Sequence, residues 1–214
     1  MKSRKTKILG LVLAASIAFC LVGCAEEFTV PQITDVTQDL LVIDESGMVT
    51  SYVVADFDKD YYVEEELAEM ILEELAPFNE ALRGFVPSDV MPAVLSDTHR
   101  FDGNIVVKYI FANGYVYGQY QLDKKDCFTG TVGQALEKGY LNQAKLLSVK
   151  NGKQLDVTTN EKILERQIVI WQGEIPVLVS GKPEYLSANV TLSEDMHTLK
   201  IQGAEDEYAY CIVK

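Results

Sequence analysis

Cations, cysteine, histidine and tryptophan are all scarce in this chain. It holds 19 Lys and Arg against 32 Asp and Glu, with four Cys, two His and one Trp among 214 residues. Nucleic acids and anionic headgroups are held through Lys and Arg, so the charge balance argues against both as partners. Two isolated histidines and distant cysteines supply no ligand pair at zinc spacing. There is no G-x-x-x-x-G-K-[ST] and no G-x-G-x-x-G, so nothing marks a phosphate cradle, and no G-x-S-x-G elbow presents a nucleophile. No cofactor is implied, and the chain shows no long internal repeat or low-complexity tract.

What is present begins at the N-terminus. Lys2, Arg4, Lys5 and Lys7 precede an apolar run from Ile8 to Leu21, which closes in Leu21-Val22-Gly23-Cys24. The run is shorter than the ~20 apolar residues that cross a bilayer, and Glu26 and Glu27 follow it. This order of charge, apolar stretch and small residue before cysteine is similar to the lipobox of bacterial lipoproteins. The resemblance implies cleavage between Gly23 and Cys24 and diacylglycerol on the Cys24 thiol; an uncleaved anchor and a plain secretory signal are the alternatives. Two or three acyl chains anchor stably where one is marginal. The expectation is therefore a signal peptide over 1–23, lipidation at Cys24, and a protein of the cell membrane facing outside the cytoplasm. Removing 23 of the 214 residues leaves 191, and with four of the 19 cations gone the net charge becomes −17.

The mature chain opens on a polar stretch without clear period, read as a lipid-anchored tether over 24–39. An α+β domain or subdomain follows over 40–157, then a β-rich C-terminal part over 158–214, either separate or within the same domain. The fold class expected is α+β: an N-terminal hairpin and helix packed with a mostly antiparallel β-rich C-terminal part. Leu40 to Ala55, turning at Asp44-Glu45-Ser46-Gly47, reads as the hairpin. Val63 to Ala76 reads as a helix with Leu67, Met70, Ile71 and Leu75 on one face and Pro77 ending it. Val86 to Thr98 looks like a loop with a short extended piece. Asn104 to Ala112 reads as a strand that turns at Asn113-Gly114 into a second arm, Tyr115 to Leu122. Thr129 to Lys138 reads as a short helix closed by Gly139 in a left-handed cap. Leu146 to Val157 repeats the hairpin pattern around Asn151-Gly152. Gln167 to Trp171, apolar on both faces, suits a covered central strand, and short strands are expected at Ile175 to Ser180, Tyr185 to Leu192, Thr198 to Gln202 and Tyr208 to Val213.

Phe57-Asp58-Lys59-Asp60-Tyr61-Tyr62 before the Glu-rich helix, Phe128-Thr129-Gly130-Thr131-Val132 before Gly139-Tyr140, the lipobox and the β-rich tail together resemble uncharacterised small lipoproteins of low-GC Gram-positive bacteria. The resemblance implies an envelope location and no catalytic residues. It also implies a more helical segment at Asn113 to Gln121 than the residues themselves suggest.

Three constellations invite chemistry. Asp56, Asp58 and Asp60 alternate like the opening of a calcium loop, but Tyr61 and Leu67 stand where Gly and Glu belong, which favours acids leading into a helix. His99 and His197 each have acidic neighbours and read as loop histidines. Tyr109, Phe111, Tyr115, Tyr117 and Tyr120 crowd the central hairpin, either as half-buried strand residues or as a face that receives a sugar or a protein. Cys127 and Cys211 remain able to pair, or to stay as buried thiols. The leading reading is a non-enzymatic interaction module for a protein or cell-wall ligand. An envelope hydrolase with an acidic pair is the alternative, and a solute-binding receptor a third that 191 residues and the lack of βαβ alternation disfavour.

Overall fold

The computed structural model describes residues 28–121, 125–142, 144–157, 160–202 and 207–214. Cys24, the expected signal peptide over 1–23 and residues 203–206 lie outside them. In chain order come Leu40–Ile43 (β1), Val49–Asp56 (β2), Glu64–Leu82 (α1), Ala93–Phe101 (β3), Asn104–Phe111 (β4), Gly114–Tyr120 (α2), Cys127–Thr131 (β5) and Val132–Glu137 (α3). Leu146–Ser148 (β6), Gln167–Trp171 (β7), Val177–Val179 (β8), Pro183–Ser187 (β9), Val190–Leu192 (β10), Thr198–Ile201 (β11) and Ala209–Val213 (β12) complete the order. The fold is α+β, as composition and pattern imply.

The strands form two sheets, ordered β10-β11-β8-β1-β2-β4-β3 and β5-β7-β12-β9-β6. All pairings are antiparallel except β1 with β8. Because β8 lies beside β1 and β7 beside β5, the 157/158 boundary runs through both sheets. Strand side chains alternate between faces, and that alternation builds three layers. One face of the first sheet, with Leu41, Val49, Val107 and Phe111, meets Cys127, Val169, Trp171 and Cys211 of the second in a single core that also takes Ile71 and Leu75 from α1. The far side of the second sheet is covered by α3, whose Val132 and Ala135 pack on Ile168, Ile170 and Ile212. With both faces covered, β12 is buried at every position and β7 at all but its first.

The first sheet's outer face carries Val42, Tyr52 and Val106, and the segment from Phe28 to Val36 lies over them. Val36 is buried, and the Tyr52 hydroxyl donates to the Pro31 carbonyl at 2.8 Å. The stretch expected as a tether is thus a strap docked on the sheet from Phe28 onward.

Five local expectations are corrected. Pro77 does not end α1, which continues to Leu82. Pro77 is exposed, so water can reach the carbonyl its missing N–H leaves unpaired, while Asn79 and Leu82 beyond it are buried. Asn79 also replaces the expected loop with order: its amide donates to the Ala93 carbonyl at 2.9 Å and accepts from the Ala93 N–H at 2.7 Å, holding edge strand β3 to the helix. Asn79→Ala strands both backbone groups in a buried setting and is expected to cost about 2–3 kcal/mol, read as a lower urea midpoint at unchanged slope.

The second arm expected at Tyr115 to Leu122 is instead α2 through Tyr120. Asn113 caps it, accepting from the Val116 N–H at 3.0 Å. Thr129 to Thr131 belong to β5, and α3 starts only after a capping box between Thr131 and Gln134. Gly139, at φ +80°, closes that helix as expected. Tyr185 to Leu192 is two strands, β9 and β10, in different sheets.

Candidate functional site

Val53, Tyr61, Tyr62, Val63 and Met70, all exposed, line one groove. Its floor is the end of the first sheet that the second does not cover: Val53 and Ala55 from β2, with Ile105, Val107 and Tyr109 from β4. Its wall is α1, where Leu67 and Ile71 turn inward and Glu66, Met70 and Glu74 form the outer stripe. Residues four apart lie above one another on a helix, so an acid, a methionine and an acid line the rim in that order. The loop before α1 closes one end with Phe57, Tyr61 and Tyr62. Phe57 is set by Arg100, whose guanidinium lies 5.2 Å from the ring centroid and donates to the Phe57 carbonyl at 3.2 Å. The groove encloses about 550 Å³.

Tyr61 is 73% exposed, Met70 65% and Val53 38%. Large apolar side chains that stay in water side by side mark an interaction surface better than single exposed ones do. Two larger depressions, about 670 Å³ beneath the strap and about 680 Å³ beside β6 and β9, carry more polar walls, with Asp195, His197 and Lys200 in the first and Lys150, Lys182 and Glu184 in the second.

The aromatic constellation is redistributed. Phe111 is 0% exposed, and Tyr109 and Tyr117 are buried, so the expected tyrosine-bearing face is core. Its rings pack on one another, Phe111 edge-on to Tyr117 at 5.4 Å and against Tyr120 at 5.3 Å. Only Tyr115 is exposed, against Phe85. The Tyr120 hydroxyl lies in hydrogen-bonding reach of Tyr109 and Glu74, and burial together with those contacts pushes its proton affinity up.

Asp56 borders the groove, Asp58 pairs with Lys59 at 2.9 Å, and among the described residues no three acids, histidines or cysteines converge as a metal site. His99 lies on β3, not in a loop, stacked beside Phe101. His197 sits next to the Asp195 turn with Nδ1 2.9 Å from the Val179 carbonyl, its ring 5.5 Å from Phe28. The Asp195 carboxyl is held below its ordinary range: partial burial pushes the other way, but bonds from the Thr198 hydroxyl and the Thr198 and His197 N–H groups outweigh it.

Cys127 and Cys211 are free and buried. They stand two strands apart, separated by β7, with Cys127 opposite Trp171 and Cys211 opposite Val169. Strands are ~4.8 Å apart, so the pair lies beyond disulfide reach. Burial raises both thiols, Cys127 to about 12, and raises Tyr117 as well. The folded state therefore keeps protons that the unfolded chain releases near the ordinary values of 9.0 for Cys and 10.0 for Tyr. Protons leave on unfolding in this window, so stability falls as pH rises from about 9 towards 12. The expected result is a lower urea midpoint at pH 10.5 than at pH 8; equal midpoints contradict it.

Met70, Glu66 and Glu74 were not legible as site residues, because helical spacing places Met70 with Leu67 and Ile71. The available signal was the repeat of Glu66 and Glu74 around Met70 at intervals of four. Fold and groove together define a two-sheet α+β domain with an apolar, acid-rimmed surface groove. No family model matches the chain, and comparison with curated proteins and with solved structures likewise returns no match.

Proposed function

We propose that this chain is a lipid-anchored protein of the cell membrane, facing outside the cytoplasm, whose domain is a non-enzymatic interaction module taking a protein ligand in the α1 groove. The observation that carries the reading is the exposed apolar lining around Val53 and Met70. A protein segment gains by covering such side chains, at ~25 cal/mol per Å². In the central segment Tyr109, Phe111 and Tyr117 are core and offer no platform for a sugar to stack on.

The strap supports the same arrangement. Four Cα steps separate Cys24 from Phe28, at most about 15 Å of chain, so a lipid on Cys24 draws the outer face of the first sheet towards the bilayer. The groove lies on the opposite face of that sheet, since Val53 and Val107 alternate with Tyr52 and Val106. It opens away from the membrane.

Two arms test the proposal in cells. A labelled fatty acid should be incorporated into the protein and lost in Cys24→Ser. A photocrosslinker at Met70 should yield a discrete adduct that Val53→Glu abolishes, with none from a crosslinker at Lys153. Absence of the label removes the anchor; an adduct indifferent to Val53→Glu, or shared by Lys153, removes the groove.

A further inference from the structure

We infer that the occupant of the groove is an extended segment of a partner protein with basic residues at positions i and i+4 and an apolar residue at i+2. The inference rests on the groove being the binding site and adds the chemistry of what enters it.

Charge is the first ground. Among the described residues, the lining includes Asp56, Glu66 and Glu74 and no Lys or Arg. Behind them, α1 carries seven glutamates in its 19 residues and no cation. Among the described residues none of these glutamates forms an ion pair; Glu64 accepts from the Thr98 hydroxyl, and Glu74 has the Tyr120 phenol in reach. Like charges on adjacent turns repel and destabilise the helix. Ligand cations would relieve that repulsion. The same field opposes anionic lipid and nucleic acid.

Spacing is the second ground. Glu66 and Glu74 are eight residues apart, about 12 Å along a helix, with Met70 midway. In an extended chain residues i, i+2 and i+4 share one side and the outer two are separated by ~13 Å. A cation at each end and an apolar side chain between them therefore meet Glu66, Met70 and Glu74 in register. Five residues of extended chain thus span both acids and the methionine between them.

The test uses the full-length chain in a neutral detergent and fluorescein-labelled peptides in a Gly-Ser frame, read by anisotropy. One peptide carries Lys-Ser-Leu-Ser-Lys, a second Glu-Ser-Leu-Ser-Glu, a third Lys-Ser-Ser-Ser-Lys. The first should bind about ten-fold more tightly than the second, through two exposed ion pairs, and about ten-fold more tightly than the third, which lacks the leucine that covers Met70. E66Q with E74Q, both on exposed positions, should erase the preference over the second peptide and keep that over the third, and 0.5 M salt should weaken binding of the first. Equal binding of the basic and acidic peptides, lost in Val53→Glu, overturns the charge rule while the groove stands as the site. No binding of any peptide, together with no Met70 adduct in cells, overturns both.

Discussion

Trp171→Ala should lower the unfolding free energy by about 4 kcal/mol, the largest loss expected from any single core truncation in this domain. Trp171 is 1% exposed and sits on β7 between Cys127 of β5 and Ala209 of β12, all facing the space between the two sheets. Its neighbours in that row are small, so the indole fills volume that no adjacent side chain can take over. Removing it leaves a cavity held open by two hydrogen-bonded sheets, and the cost follows from poor relaxation as much as from lost transfer free energy. Domains of this size hold only ~5–15 kcal/mol in reserve. Among the described residues the indole Nε1 has no hydrogen-bond partner, and a buried unpaired donor costs ~1–3 kcal/mol. Trp171→Phe therefore removes a liability along with some volume and should lose far less than Trp171→Ala. Urea midpoints of the two variants check the order; equal losses would show that volume in this row is not what matters.

Gly114→Ala should cost about 3 kcal/mol, although alanine is ordinarily the better helix former by ~1 kcal/mol. A β-carbon at Gly114 would stand 2.8 Å from the Thr129 nitrogen and 2.9 Å from the Phe128 carbonyl carbon. Those are backbone atoms of β5, locked to β7 by the sheet, so they cannot give way as a side-chain tip does. One turn on, a β-carbon at Gly118 would meet the Lys125 oxygen at 2.9 Å. The two glycines let α2 lie directly on the edge of β5. The Gly114 N–H donates to the Thr129 hydroxyl at 2.9 Å, and that hydroxyl donates to the Gly47 carbonyl at 2.6 Å, so the contact also pins the β1–β2 turn. A shift of α2 to relieve the clash would break this chain. Gly84, whose β-carbon would meet nothing within 4 Å, is the control: Gly84→Ala should be close to neutral. Similar losses in both variants would place the effect in the backbone rather than in packing.

The same glycines explain where sequence reasoning went astray. Asn113-Gly114 between apolar stretches is the common signature of a two-residue hairpin, yet Asn113 serves as a helix cap and Gly114 as a point of close approach. Both uses share one dipeptide; the deciding partner, β5, lies 15 residues away along the chain. Pro77 misled for a similar reason, since the turn beyond it is held by Asn79 on Ala93 and by burial of Leu82, contacts that local propensity does not contain. The tyrosines of β4 and α2 were legible as a cluster but not as core, because the helices and second sheet that bury Tyr109 and Tyr117 come from elsewhere. Met70 shows the converse: helical spacing puts it with the buried face, but the second sheet does not extend beneath that part of α1, and it stays in water.

The sequence by itself determined the α+β class, the β1–β2 hairpin with its Asp44 to Gly47 turn, the doubly apolar β7, the Gly139 cap and the strongly acidic balance. Each of these depends on residues within one or two turns of one another, or on composition, and so needs no knowledge of distant partners. Only the tertiary structure decided that β8 lies parallel to β1, that the strap closes the outer face, that Cys127 and Cys211 stand two strands apart, and that Val53, Met70, Glu66 and Glu74 share a groove. Those relations join residues tens to more than a hundred positions apart, and they are set by which apolar faces can be buried together, a property of the whole chain and of no segment within it.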